Sequence, residues 1–298
     1  MDEMDILIIK EMAVDPRIGY RDLADRLGLS LNATHKRIQQ MITKGIIAGF
    51  RTHLSPFLTG GSMVEFYGRS SSTDLSTTME LLGQHDCTAR IISTGGQFLY
   101  IDSLVRNFEE MQTYQSFVRE VGKIDDLQNL AMFTAGDPPA KDPLSKLDWK
   151  IVRALQTDCR RPFQDVAIEV GSTSKTVKRR VESMLANRLI TFNIDLVLCS
   201  MGDPVSFVHA KLRPGRDGIA IGTAILNKKD PHVLGAAMSS VNPGLFIFSM
   251  WGRDLKELRE AEKQLNANDD FESVYSNLYY EMRTYSTWSD ELVKKRSA

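Results

Sequence analysis

Apolar residues near the amino terminus fall at helical spacing: Met4, Leu7, Ile8 and Met12 predict a helix over residues 2–13. A second helix is expected from about residue 20 to 27, with Leu23, Ala24 and Leu27 turned inward. Gly28 stops it, because glycine enters the left-handed conformation without steric cost. Ser30 is placed to cap a third helix over residues 31–44, Gly45 ends that helix, and residues 46–54 read as a short strand. The whole pattern returns 143 positions later without a gap. Asp5 becomes Asp148, Asp15 Asp158, Arg17 Arg160, Gly28 Gly171, Arg37 Arg180 and Met41 Met184, and the apolar positions recur with them, Leu23 as Val166 and Ile38 as Val181. The second copy predicts helices over 147–157, 163–170 and 174–187, Thr173 as cap, and a strand from 189. Helix, helix, tight turn, helix and strand is the order of a winged helix-turn-helix, used here twice.

Each copy is followed by a break, residues 55–61 and 201–204, and then by a β-α-β-β-α-β pattern. The first is expected at 62–69, 75–82, 89–93, 97–102, 108–121 and 127–134, with Gly95-Gly96 as a hairpin. The second is expected at 205–212, 219–226, 233–239, 245–250, 255–266 and 271–280, with the hairpin at Asn242-Pro243-Gly244. The stretch TAGDPPAKDPLS, residues 134–145, carries three prolines and separates the halves. The expected class is therefore α+β, two winged helix-turn-helix modules and two ferredoxin-like βαββαβ modules in tandem. The expected boundaries are 1–54, 62–134, a linker at 135–145, 146–200, 204–285 and a tail at 286–298.

The 298 residues carry a net charge of only −1, which hides unlike segments: residues 144–200 sum to +4 and residues 57–143 to −6. Phosphate binding follows local charge, so the total does not exclude DNA. No apolar run approaches a membrane span and the amino terminus lacks a signal-peptide pattern, so a cytoplasmic protein is expected. Cys87, Cys159 and Cys199 are too few and too scattered for a disulfide framework and are expected as reduced thiols. The five histidines show no metal spacing, and no phosphate-cradling glycine loop or nucleophile elbow is present; neither an enzyme nor a cofactor or metal is expected. Phe98, Tyr100, Phe246, Phe248 and Trp251 read as core rather than as pocket walls.

On the first recognition helix Thr34, Ile38 and Met41 should face the core, leaving Leu31, Asn32, His35, Lys36 and Gln39 outward. Asn and Gln pair with adenine edges and Lys and Arg with guanine or phosphate, so Ser30, Asn32, His35, Lys36, Arg37 and Gln39 are the candidate DNA contacts. Arg37 suits a phosphate or a contact within its own module better than a base edge. The second helix offers Thr173, Ser174, Lys175, Lys178, Arg179 and Arg180, a mainly cationic set. Two such unlike helices should read an asymmetric double-stranded operator.

The run Leu23-Ala24-Asp25-Arg26-Leu27-Gly28-Leu29-Ser30, then Arg37-Ile38 and Gly45-Ile46-Ile47-Ala48-Gly49-Phe50, resembles the leucine-responsive regulator (Lrp/AsnC) family; so do Leu147-Asp148, Ile151, Leu155, Asp158 and Arg161. That resemblance implies a transcriptional regulator whose sheet domains (RAM-like) associate, within one chain or between two chains of a homodimer, and bind an effector at their hairpin loops. Thr94, Gly95, Gly96, Asn242 and Gly244 are then the candidate effector positions. The chain departs from the pattern by fusing two units and by lacking the usual aspartate in those loops, which argues against free amino acids. Two other readings stay open: an enzyme like the siroheme decarboxylases, which share this architecture, and a nonspecific architectural DNA-binding protein.

Overall fold

A computed structural model describes residues 1–134, 143–227, 230–238 and 244–298. The first helical module comprises α1 (Glu3–Val14), α2 (Tyr20–Leu27), α3 (Leu31–Thr43) and the wing strand β1 (Ile47–Leu54). A short α4 (Pro56–Thr59) leads into β2 (Ser62–Arg69), α5 (Leu75–Gly83), β3 (Thr88–Thr94), β4 (Phe98–Val105), α6 (Phe108–Gly122) and β5 (Gln128–Thr134). The second half repeats the order with α7 (Lys146–Leu155), α8 (Phe163–Val170), α9 (Ser174–Ala186) and β6 (Ile190–Leu196). There follow β7 (Val205–Leu212), α10 (Gly218–Asn227), β8 (Val233–Met238), β9 (Leu245–Trp251), α11 (Leu255–Asn266), β10 (Phe271–Thr284) and α12 (Trp288–Ser297). Most of the linker, residues 135–142, lies outside the described residues.

Local chemistry sets the ends of the helical modules as the sequence implies. Gly28 and Gly171 close α2 and α8 in the left-handed conformation, both at φ 67°. Ser30 and Thr173 cap α3 and α9, their hydroxyls accepting the amide N–H of Ala33 and Thr176. Thr34, Ile38 and Met41 are buried, as are Val177, Val181 and Met184 on the other copy.

The two wings pair with each other: β1 and β6 form an antiparallel ribbon in which Arg51 lies opposite Asn193 and Phe50 opposite Ile194. The two ferredoxin-like units share a single eight-stranded sheet, ordered β5-β2-β4-β3-β10-β7-β9-β8. The join is made by β10, longer than the pattern predicts. Its first part pairs with β7, Phe271 opposite Leu212, and its last residues pair with β3, Met282 opposite Ile92. The alternation that defines a strand ends near Tyr280 only on the β7 side; beyond it the chain finds a second edge to complete. The pairing left open between one chain and two is thus made within one chain.

Because β5 and β8, the ends of this order, also come near each other, one face of the curled sheet is turned inward. Ile92, Tyr100, Phe207, Ile247, Trp251 and Tyr279 are buried there. Each such side chain stabilises the fold by about 1.5–3 kcal/mol relative to exposure. Val64, Phe66, Ile91, Leu99 and Ile101 line the opposite face under α5 and α6.

The expected tail at 286–298 is instead helical. Thr287 and Asp290 form a capping box at the start of α12, Val293 joins the core of the second helical module, and the Trp288 indole N–H donates to the Leu104 carbonyl at 2.7 Å. The carboxy-terminal helix therefore ties the second module to the sheet of the first half. No described helix is long and apolar enough to cross a membrane.

Candidate nucleic-acid interface

On α3, Asn32, His35, Lys36 and Gln39 are exposed, and Leu31 shares that face. The His35 ring packs edge-on against Tyr20 with centroids 5.7 Å apart, which holds the imidazole beside the start of the helix. On α9, Ser174, Lys175, Lys178 and Arg179 are exposed. Lys178 has only a loose exposed partner, Glu182 at 3.8 Å, worth a few tenths of a kcal/mol at most. The polar groups are thus presented outward by caps and buried stripes on the opposite face of each helix.

Arg37 and Arg180 sit differently. Arg37 donates to Asp2 and Asp5, each at 2.7 Å, and Arg180 to Asp148 at 3.1 Å. Asp5 and Asp148 are repeat counterparts, so each module uses one arginine to fasten its recognition helix to its first helix. Asp148 is buried, and an unpaired buried carboxylate is costly, which makes this arginine structural in the second copy.

A second repeated pair was not assigned a role from sequence. The Arg17 guanidinium donates to the carbonyls of Cys159 and Arg161 in the other module, and Arg160 donates to those of Pro16 at 2.5 Å and Ile18 at 2.9 Å. Arg17 lies 4.1 Å from the ring centroid of Phe163 and Arg160 4.9 Å from that of Tyr20. The signal was present as an arginine three positions before an aromatic in both copies. Around this clasp, the Cys159 N–H donates to the Phe50 carbonyl and the Thr52 hydroxyl to that of Leu155. Cys159 is a free, buried cysteine, and burial pushes its thiol up to about 12, so it stays protonated and neutral near pH 7.

The hairpin positions separate. Gly95 and Gly96 line a cavity of about 510 Å³ with Arg69, Arg259 and Asn277, while Thr94 is buried in the strand. In the second half Gly244 accepts the Leu212 N–H, and Asn242 lies outside the described residues.

On the inward face of the sheet, the expected core residue Tyr100 is also polar in its role. Asn277 donates to the Tyr100 hydroxyl at 2.8 Å, Tyr100 is 2.7 Å from His209 Nε2, and His209 Nδ1 is 2.9 Å from the Tyr275 hydroxyl. Every group is satisfied if protons run from Asn277 to Tyr100, to Nε2, and from Nδ1 to Tyr275. Burial pushes the imidazole down to about 4, so it is neutral near pH 7. Tyr275 also lines a cavity of about 480 Å³ with Tyr67, Arg69, Phe98 and Gln128.

Two recognition helices on clasped winged modules, mounted on one paired ferredoxin-like sheet, define the architecture of a helix-turn-helix DNA-binding protein. A winged helix-turn-helix DNA-binding model matches residues 1–48 and an AsnC-type helix-turn-helix model matches residues 144–185. The HTH-type transcriptional regulator LrpA of Pyrococcus horikoshii is 28% identical over 127 residues, 42% of this chain and 89% of its own length. Regulatory protein AsnC of Escherichia coli is 26% identical over 132 residues, 43% of this chain and 86% of its own. Both halves thus resemble the Lrp/AsnC regulators, with the helix-turn-helix segment present twice in tandem. The siroheme decarboxylase NirDL shares the whole-chain fold, with a TM-score of 0.59 and 14% identity over 99% of this chain and 98% of its own.

Proposed function

We propose that the chain is a sequence-specific transcriptional regulator that reads an asymmetric duplex site with α3 and α9. The observation that carries this reading is the unlike outward chemistry of the two helices. Asn32 and Gln39 offer two-pronged amides, whereas Lys175, Lys178 and Arg179 offer cations suited to phosphates and guanine edges. Arg37 and Arg180, engaged in their own modules, hold the helices in place. In this reading the protein acts in the cytoplasm, and if it also forms a homodimer, the assembly carries four winged helices; sedimentation mass decides between the two states. Binding to a fragment of its own promoter region against random duplex, at two salt concentrations, tests the proposal. Equal affinity for both with a steep salt dependence would instead identify an architectural protein.

A second reading is favoured by one observation, the Tyr100–His209–Tyr275 chain beside a cavity. A neutral imidazole between two hydroxyls can hand a proton along the chain to a bound molecule. NirDL has also been solved with an iron-uroporphyrin III analogue. Titrating this chain with iron-uroporphyrin separates the readings: a saturable shift of its main absorption band, lost in His209→Gln, would favour the enzyme. No shift, together with specific DNA binding, favours the regulator.

A further inference from the structure

A groove of about 700 Å³ runs beneath the paired wings, lined by residues of both copies, among them Leu54, Phe57 and Met63 of the first and Leu185, Arg188 and Ile190 of the second. Its walls are mainly apolar. Val14, Phe57 and Met63, which also line it, are 84%, 40% and 40% exposed, so three of the larger exposed apolar side chains converge on one place. Scattered apolar residues on a surface need no explanation, but a contiguous set around a concave groove marks a binding site.

The repeat supplies a second observation. Arg188 is the counterpart of Gly45, and both hold the left-handed backbone, at φ 54° and 71°. Glycine accepts this without strain and arginine does not, so the second copy keeps a strained cation where the first has the easy residue. That guanidinium lies 5.9 Å from the ring centroid of Phe57 at the groove, and among the described residues it has no ion pair. The other rim residues diverge in the same way: Val14, Phe57 and Met63 correspond to Thr157, Ser200 and Ser206. At the counterpart place a Cβ on Gly45 would meet the Ser200 hydroxyl at 3.8 Å, so serine faces glycine where Phe57 faces Arg188. The apolar rim and its cation therefore belong to one side of a near-symmetric structure.

We propose that this groove binds a small apolar carboxylate, an aryl-alkanoic or branched short-chain acid, with its carboxylate on the Arg188 guanidinium and its body over Phe57, Met63, Leu54 and Ile190. An arginine stacked on a ring keeps its N–H edge free for two-pronged contact with a carboxylate. Asp15, whose carboxylate accepts the Arg17 amide N–H, also lines the groove; the acid group goes to the Arg188 guanidinium. His53, Ser55, Thr191 and Asn193 are the other polar residues of the lining. Since β1 and β6 both wall the groove, its occupant bears on the ribbon that joins the two reading modules. That regulatory part rests on the DNA-binding reading above, whereas the binding part stands without it.

Calorimetry of the full chain with 4-phenylbutanoate, and with 4-phenylbutanamide as the uncharged match, tests the site. The acid is expected to bind saturably and the amide about tenfold more weakly or not at all, the loss of one charge-assisted contact. Arg188→Gly copies the residue of the other repeat, so its Tm should be equal or higher while acid binding falls about tenfold. Phe57→Ser, the other copied residue, should weaken acid and amide alike. Equal binding of acid and amide, full binding by R188G, or no saturable heat would each overturn the site. A DNA titration with and without the acid is read separately. Altered DNA affinity supports the coupling, and unaltered affinity with intact acid binding overturns the coupling alone. Absence of DNA binding under all conditions overturns the regulator reading, while the calorimetric result still decides the groove.

Discussion

Arg17 and Arg160 make the same contact in opposite directions. Each leaves its own helical module, donates to two carbonyls of the other and stacks beside the aromatic residue three positions after its counterpart, Phe163 for Arg17 and Tyr20 for Arg160. The repeat put both arginines in register, and antiparallel pairing of the wings brings the two copies face to face so that one residue type serves both directions. Backbone carbonyls in a module junction need donors, and a guanidinium supplies several from one side chain.

Replacing either arginine with alanine should therefore destabilise the protein by about 2–3 kcal/mol, through lost charge-assisted hydrogen bonds and lost ring contact. The second replacement should cost less than the first, since both hold one junction. Urea denaturation of the two single variants and the double variant measures this. Specific DNA affinity should fall in all three because the recognition helices lose their fixed placement.

Basic residues on the second recognition helix divide into two groups with opposite readouts. Lys175, Lys178 and Arg179 to alanine should weaken binding to every duplex and flatten the dependence on salt, with thermal stability little changed. Arg180→Ala should destabilise the module by about 2 kcal/mol by removing the cation paired with buried Asp148, which keeps its hydrogen bonds from Ser145. Asn32→Ala should relax preference at one or two base pairs, at about 1–3 kcal/mol. Salt-dependent titrations beside melting curves distinguish these outcomes.

His209 predicts an acid-side loss of stability. Its folded value, about 4, lies below the ordinary histidine value of 6.5, so the unfolded chain takes up a proton first. The contribution is complete above pH 6.5 and declines as pH falls towards 4, by about 3 kcal/mol across that window. His209→Gln should flatten this part of the stability profile. A wild-type profile with the same slope as the variant would count against a buried neutral imidazole.

Glu65 works in the other direction. It faces Asp102 across adjacent strands, and Asp102 accepts from Arg90 at 2.6 Å. Burial, then the Asp102 charge, push the Glu65 carboxyl well above the usual range. A raised carboxyl stabilises the fold at low pH and loses that contribution as pH rises through its folded value. Glu65→Gln, which stays neutral, should become more stable relative to the natural chain as pH increases. Midpoints of urea unfolding at pH 5 and pH 8 provide the comparison.

Local rules made the helical modules readable. Apolar spacing, a stop at Gly28 or Gly171 and a cap at Ser30 or Thr173 act within a few residues, and α2 and α8 begin and end where those rules place them. The outward faces of α3 and α9 follow from the same periodicity. Contacts between distant segments were not readable in this way. The shared edge of β10, the helix α12 in place of a tail, and the engagement of Arg37 with Asp2 and Asp5 each depend on which segment arrives alongside. His209 carried no sequence signal, because its partners Tyr100 and Tyr275 lie far along the chain.

Strand β10 gives its first part to β7 and its last residues to β3, so the two reading modules of one chain are carried on one continuous sheet. A regulator assembled from separate subunits loses its second head when diluted, and its occupancy of a two-part operator then falls faster than its concentration. Here the local concentration of the second head is set by the fold. In the proposed regulator, acting as a monomer, a single copy would present both heads at once, and operator occupancy should follow protein concentration to the first power down to the lowest level at which binding can be measured.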